Sequence, residues 1–363
     1  MTLFAYFARR FAVTLILTAL GFGIVIASVE AVEVARTLRE APGAGPGATL
    51  QLTLLTLPQR LYQIGPLIAL LATLATFLSL SRSSEITVAR ASGRSAMGIV
   101  AAPLAVIVVV GVLLLAGFNP IVAATLRKAE AVQARFAGTA NVLSISPEGL
   151  WLRQGDASGQ TVIRARSASL DGEQLREVTF LTYGPEGPET RIEAASATLE
   201  PGLWRLAKAK RWTLSDPNPE AGARAEATDA LPTDLTVERI RDGFGTPEAV
   251  AIWDLPAFIA DLESAGFSAR SHRIWLWSEV AAPLFLAAMV MTGAAFALRH
   301  ARAGGAWIMG TAAVLTGFAL YFVKNFALAL AQNGQVPVLL AALAPPAAAA
   351  AISAALVLWM EDA

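Results

Sequence analysis

The sequence predicts an α-helical membrane protein with six transmembrane helices and an inserted all-β, jelly-roll-like domain between the third and the fourth. Three observations carry that class. Hydrophobic residues fill 55% of the 363 positions and charged residues only 15%, whereas a soluble domain carries roughly 25% charged residues. Six charge-free runs reach the roughly 20 apolar residues that a helix needs to cross hydrocarbon. One long polar interval, residues 127–273, holds most of the charges and alternates with the period of a strand.

The runs lie at 11–29, 61–81, 95–126, 280–298, 303–323 and 325–360. The first is longer than the apolar part of a secretory leader and no A-x-A site follows it, so it reads as a span. Two runs exceed one crossing. Asn119-Pro120 is expected to close the third, and Gly334-Gln335-Val336-Pro337 to open the sixth. No span carries an ionisable residue near its centre.

Basic residues in short loops set the orientation. With the N-terminus in the cytoplasm, the inner side holds Arg9, Arg10, Arg82, Arg90, Arg94, Arg299 and Arg302. The outer segments then hold Arg36, Arg39, Arg60 and Lys324, partly offset by Glu30, Glu33 and Glu40. This bias puts both termini inside, and Trp275 and Trp277 fall at the outer interface where amphipathic rings collect. The polar interval is then periplasmic in a Gram-negative cell.

Within that interval, Gly149–Arg153, Thr161–Ala165, Glu177–Tyr183 and Trp204–Trp212 alternate between turn-forming residues and read as half-buried strands. Many short strands with regular turn signals indicate a sandwich, barrel or jelly roll. The run from Leu255 to Phe267, with Phe258, Ile259 and Leu262 on one face, reads as a short helix leading back to the membrane. The chain thus divides into residues 1–130 with three spans and the loop 82–95, a β domain over 131–254, and a linker helix with three spans over 255–363.

Composition excludes several chemistries. Net charge is zero, so nothing global favours nucleic acid. There is no cysteine, hence no thiolate metal site, and His272 and His300 are distant in sequence. No P-loop, HExxH or GxSxG occurs. A secondary transporter usually keeps a costly charge deep in the bilayer. If this protein moves a substrate uphill, the energy therefore arrives through a partner.

The segment best suited to receive it is Ser81–Ser95. Ser83 or Ser84 is expected to cap a short helix, with Glu85 in the first turn, where a carboxylate suits the dipole. Ile86, Ala89 and Arg90 share a helical face, and Gly93 ends the helix in a left-handed conformation. On periodicity alone, an ordinary basic turn is the plainer reading.

The residues of several stretches resemble the LptF/LptG (YjgP/YjgQ) permease family of lipopolysaccharide export. These are Leu57–Pro66 running into Ser84-Glu85 and Ala91-Ser92-Gly93; Asn119-Pro120; Gly149–Arg153; Pro283; Arg299–Gly305; and the tail from Gly334 through Ala344-Pro345 to Asp362, which looks more like the LptG branch. The resemblance covers essentially the whole chain in order. It implies a permease subunit of an ABC transporter that extracts lipopolysaccharide from the inner membrane and passes it to a periplasmic bridge for outer-membrane biogenesis. It implies as partners an LptF-like permease, an LptB-like ATPase dimer, and LptC-like and LptA-like bridge proteins. This chain is then no enzyme and has no cofactor of its own, ATP being bound by the partner ATPase.

The resemblance also assigns the loop after helix two as the coupling helix, with Glu85, Ile86, Ala89, Arg90 and Gly93 as its residues. For the anionic lipid head it points, by position, to Arg36, Arg39 and Arg127. Glu30, Glu33 and Glu130 depart from that basic pattern, and snorkelling arginines at helix ends would look the same. Phe322 and Phe326 read as helix packing or as cavity lining. Two other readings stay open: a permease for another amphiphile such as a lipoprotein, and a membrane-anchored periplasmic scaffold.

Overall fold

A computed structural model describes residues 2–39, 45–137, 143–146, 149–156, 159–169, 173–184, 187–233, 235–236, 240, 246–264, 268–299 and 306–362. The expectations for Glu40, Phe267, His300, Arg302 and Gly305 lie outside the described residues. The chain forms two compact units. One contains residues 1–132, 250–253 and 273–363, and the other residues 133–249 and 254–272.

The first unit is helical. Its elements are α1 (Leu3–Thr37), α2 (Pro46–Arg82), α3 (Glu85–Ala91), α4 (Ala96–Leu113), the start of α5 (Asn119–Ala137), most of α7 (Arg270–Arg299), α8 (Ala306–Gln332) and α9 (Val338–Asp362). A single π turn, Leu114–Phe118, joins α4 to α5, so they make one span. Among the described residues, six helices are long and apolar enough to cross a membrane, as a multi-pass protein requires. Several are longer than the charge-free runs: α1 continues past Glu30, and α2 begins well before Arg60.

The core of this unit draws Phe7 from α1, Leu70, Leu74 and Phe77 from α2, Ile99 from α4 and Phe285 and Met289 from α7. Small residues allow close approach where apolar burial alone drives no helix association. Gly111 of α4 faces Pro283 of α7, and a Cβ there would stand 2.9 Å from the Pro283 Cα. Between α7 and α9, Thr292 and Ser353 share a buried hydrogen bond of 2.7 Å.

Two expectations for the spans are corrected. Asn119-Pro120 does not end helix three. Proline cannot donate to the carbonyl four residues back, and the π turn absorbs the interruption, so the helix continues to Ala137. Lys324 does not lie in a loop, because α8 runs through it to Gln332 and ends at the left-handed Gly334.

The second unit carries one antiparallel sheet of seven strands in meander order, each pairing with its sequence neighbour. They are β1 (Leu143–Ser146), β2 (Gly149–Asp156), β3 (Gly159–Ala168), β4 (Gln174–Gly184), β5 (Gly187–Glu200), β6 (Leu203–Thr213) and β7 (Arg224–Pro232). The all-β class is as expected, and the connectivity is the simplest that short turns permit. Leu150, Ile163, Phe180, Ile192 and Trp204 fill the inner face with no exposed surface. Their sequence neighbours point the other way, as the period of two requires. The linker helix α6 (Leu255–Ser264) buries Leu255, Ile259 and Leu262.

Candidate functional site

The loop after α2 forms a short helix, α3, as expected, but not with the expected cap. Ser84 precedes it in a left-handed conformation (φ 59°) and makes no side-chain cap. Ser83 instead donates its hydroxyl to Glu85 at 2.7 Å. Glu85 also accepts a hydrogen bond from the Tyr6 hydroxyl, and Arg10 lies near enough to add Coulombic attraction. The Tyr6 and Ser83 hydroxyls, with Arg10 behind them, hold the Glu85 carboxyl below its ordinary value despite some desolvation. Arg10 in turn donates to Ser79 at 3.0 Å. The acid is thereby tied to the first turns of α1 and to its own chain.

At the far end, Gly93 is left-handed (φ 82°). Its N–H donates to Arg90 and that of Arg94 to Ala89, at 3.0 and 3.2 Å, which is a Schellman ending. The shared face expected for Ile86, Ala89 and Arg90 divides. Ile86 and Ala89 are buried in the bundle core beside Phe77 and Leu80, because a 7-residue helix needs tertiary burial to persist. Arg90, Thr87 and Val88 are exposed, Val88 by 67%. Two of the proposed coupling residues therefore hold the helix, and Arg90 belongs to the face it presents.

The three candidate arginines are all exposed. Arg36 lies in the last turn of α1 and Arg127 in α5, each roughly 45–50 Å along its helix from the α3 end at 1.5 Å per residue. Arg39 follows α1. This exceeds the roughly 30 Å of hydrocarbon, so these cations sit beyond the apolar layer. Glu30 does not compete with them, because its carboxylate is buried and bonded to Arg60 at 3.1 Å.

A polar cluster unforeseen in the sequence lies between these levels. Glu279 of α7 is buried, and it accepts from the Tyr62 hydroxyl of α2 and from Asn119 Nδ2 at 3.0 Å. Asn119 Oδ1 accepts the Ile252 N–H at 2.9 Å, and the Trp253 indole donates to the Ala116 carbonyl at 3.0 Å. Ala116 is the carbonyl that Pro120 leaves without its helical donor, so the indole supplies the missing bond. Tyr62 stacks on Phe118 of the π turn. Lys324 packs over the Phe285 ring and lies within Coulombic reach of Glu279.

Tyr62, Asn119, Glu279 and Lys324 each stand roughly 20 residues from the α3 end of their helices, about 30 Å or one hydrocarbon thickness. The span centres are accordingly free of charge, as expected, and the ionisable groups gather at the boundary. Charge-free runs could not reveal the cluster, since Glu279 and Lys324 served only to bound runs and Tyr62 and Asn119 lay inside runs as uncharged residues. Among the described residues, no cluster of histidine, aspartate and glutamate is arranged to hold a metal. Phe322 and Phe326 stack on each other but are exposed, so they do not pack within this chain.

A helical unit with several candidate spans, a short clamped helix in one loop and an inserted antiparallel β domain together define a polytopic membrane protein that carries a folded polar domain. The profile of the family described as lipopolysaccharide export system permease LptF/LptG matches residues 5–359. The chain belongs to that family. It is 24% identical over 324 residues to the lipopolysaccharide export system permease protein LptG of Escherichia coli strain K12, covering 88% of this chain and 86% of that protein. The LptG of Escherichia coli O6:H1 strain CFT073 gives the same identity and coverage.

Proposed function

We propose that this chain is the LptG-like transmembrane subunit of an ATP-driven exporter that extracts lipopolysaccharide from the inner membrane. In this reading both termini are cytoplasmic, and the β domain is periplasmic and passes the lipid toward a bridge. The observation that carries it is α3. One of its faces is locked into the bundle by Ile86 and Ala89, and the other presents Thr87, Val88 and Arg90 to solvent. An exposed helix face fixed rigidly to the spans is what an external ATPase needs to grip. ATP is bound and hydrolysed by an LptB-like dimer, and this chain contributes no catalytic group.

The apolar membrane faces support a second permease subunit of the LptF type. Leu17, Leu20 and Ile24 of α1 and Leu315, Phe318 and Phe322 of α8 are exposed at helical spacing. Arg36, Arg39 and Arg127 meet the phosphorylated head of the lipid, since cations recognise phosphate through charge-assisted hydrogen bonds. The terminal strands β1 and β7 each have one paired neighbour among the described residues. Such an edge accepts a further strand from LptC-like or LptA-like partners.

The test is purification of tagged protein with its neighbouring membrane proteins, followed by mass spectrometry of protein and bound lipid. An ATPase, a second permease and lipopolysaccharide are the expected partners. In reconstituted vesicles, Arg90→Glu should uncouple ATP hydrolysis from lipid release. Recovery of lipoprotein in place of lipopolysaccharide would overturn the substrate, and absence of any ATPase would overturn the transporter.

A further inference from the structure

After the β domain the chain passes through Ala249–Trp253, an apolar run between Glu248 and Asp254 that belongs to none of the six candidate spans. Ala251 and Ile252 are buried, whereas Trp253 is 67% exposed. The exposed ring is nevertheless held. Its indole N–H donates to the Ala116 carbonyl at 3.0 Å, and the Ile252 N–H donates to Asn119 at 2.9 Å. The segment is thus bonded to the junction of α4 and α5 through its own polar groups. Irregular backbone persists at the depth of hydrocarbon only where protein satisfies those groups, and here protein does so.

The level of the ring follows from its partners. Asn119 stands at the boundary of the apolar layer, and Ala116 lies three residues nearer α3, about 4–5 Å deeper at helical rise. Val109, Val112 and Leu113 are exposed on the same helix, and their spacing continues to Ala116. The ring therefore stands at the end of an exposed apolar stripe. Beyond the boundary, Lys128 of α5 is exposed about two to three turns further on. Trp277, two residues from Glu279 in α7, is exposed at the same boundary. Apolar stripe, tryptophan and then cation is the order in which hydrocarbon, interface and headgroup follow one another.

We propose that Trp253 seats at the edge of the hydrocarbon layer on the side away from α3, with lipid acyl chains covering its exposed face. An interfacial tryptophan commonly keeps its N–H for headgroups or water. The only polar atom of this side chain is engaged by Ala116, so the free part of the ring is apolar and matches acyl chain rather than headgroup. Asp254 is exposed and limits the depth, since a carboxylate is costly in hydrocarbon. The segment is then a short anchor that fixes the junction of α4 and α5 at one depth in the bilayer. The inference uses only the membrane reading of the helices and is independent of what the protein transports.

The test uses the full chain with its co-purified partners in phosphatidylcholine nanodiscs. The acyl chains carry bromine, a contact quencher of indole, near either the glycerol end or the terminal methyl. Emission from Trp253 is the difference between wild type and Trp253→Phe. It should lose most of its intensity to bromine near the glycerol end, much less to bromine near the methyl, and little to acrylamide in the water. Quenching by acrylamide and not by bromine puts the ring in water, and quenching by neither puts it under another protein subunit; either result would overturn the proposal. Strongest quenching by bromine near the methyl would overturn the depth. The chain has no cysteine, so Asp254→Cys takes a single nitroxide label with Trp253 intact, which keeps the proposal testable if Trp253→Phe fails to fold. The collision rate of that label with oxygen, relative to an aqueous nickel complex, should fall between those of labels on Leu113→Cys and Lys128→Cys. A ratio no higher than that of the Lys128→Cys label would overturn the anchor.

Discussion

Asn119 offers the sharpest test of how the helical unit holds the segment 250–253. Its amide donates to Glu279 at 3.0 Å and accepts from the Ile252 N–H at 2.9 Å, so the orientation of the group is dictated by its two partners. Asn119→Leu fills the space but removes both bonds. The Ile252 N–H is then left in a buried position without an acceptor, at a cost of about 1–3 kcal/mol. The second bond, to a carboxylate, is worth about 1.5–3 kcal/mol. Hydrogen exchange separates the two. Local opening of 250–253 should become about five- to hundredfold more frequent, read as faster deuterium uptake of a peptide covering Ile252. Asn119→Asp keeps the acceptor for Ile252 while losing the donor to Glu279. It should therefore retain most of the protection at Ile252 and lower only the overall melting temperature. If Asn119→Leu leaves uptake at Ile252 unchanged, the amide does not anchor that segment and the reasoning fails.

Pro120→Ala restores a helical donor to the Ala116 carbonyl in competition with the Trp253 indole, and should blue-shift or broaden Trp253 fluorescence relative to a Trp253→Phe background. Gly111→Ala places a Cβ 2.9 Å from the Pro283 Cα, a backbone neighbour that cannot rotate away. It should destabilise the detergent-solubilised protein by about 1–3 kcal/mol in a denaturation titration. Glu85 has its carboxyl held below the ordinary value of 4.5 by Tyr6 and Ser83, so its contribution to stability is complete above that value and lost as pH falls through the depressed one. The melting difference between wild type and Glu85→Gln should accordingly be constant at neutral pH and vanish on acidification, and Tyr6→Phe should move that loss to higher pH.

The fold was legible in the sequence because two periodicities differ so plainly. Charge-free runs located six spans, and alternation in β2, β3, β4 and β6 located the β domain. Strands β1, β5 and β7 were missed, and β5 explains the limit of alternation. Gly187–Glu200 is rich in alanine, threonine and glutamate and has only Ile192 and Leu199 as bulky apolar residues, and its place in the sheet is set by partners on both sides rather than by its own propensity. Helix ends were misjudged for a related reason. A charge marks the end of an apolar run but not of a helix, and Glu279 and Lys324 continue their helices because neighbours from other helices meet them. Of the coupling helix, position, length and the left-handed Gly93 were readable. The burial of Ile86 and Ala89 and the bond from Tyr6 depend on helices distant in sequence.

Helix α2 explains why α3 and the polar boundary layer belong to one mechanical element. From Ile68 to Leu80 it is buried at Ile68, Ala69, Leu70, Ala72, Leu74, Phe77 and Leu80, and close packing on so many sides makes that half stiff. Its end carries Ser79 and leads directly into Ser83, Glu85 and α3. The other half contains Pro58 and Pro66, each of which deletes one i to i−4 bond and favours bending. The carbonyl that Pro66 leaves unpaired within the helix is that of Tyr62, the residue whose hydroxyl engages Glu279. The buried half of α2 thus joins α3 to the proline-bearing half, where Tyr62 engages a cluster that also holds Asn119 and, through it, residues 250–253. If α3 serves as the coupling helix, close packing along the buried half of α2 predicts that its displacement strains the Tyr62–Glu279 bond first, so Tyr62→Phe should weaken the coupling of ATP hydrolysis to lipid release in reconstituted vesicles while leaving ATP hydrolysis itself in place.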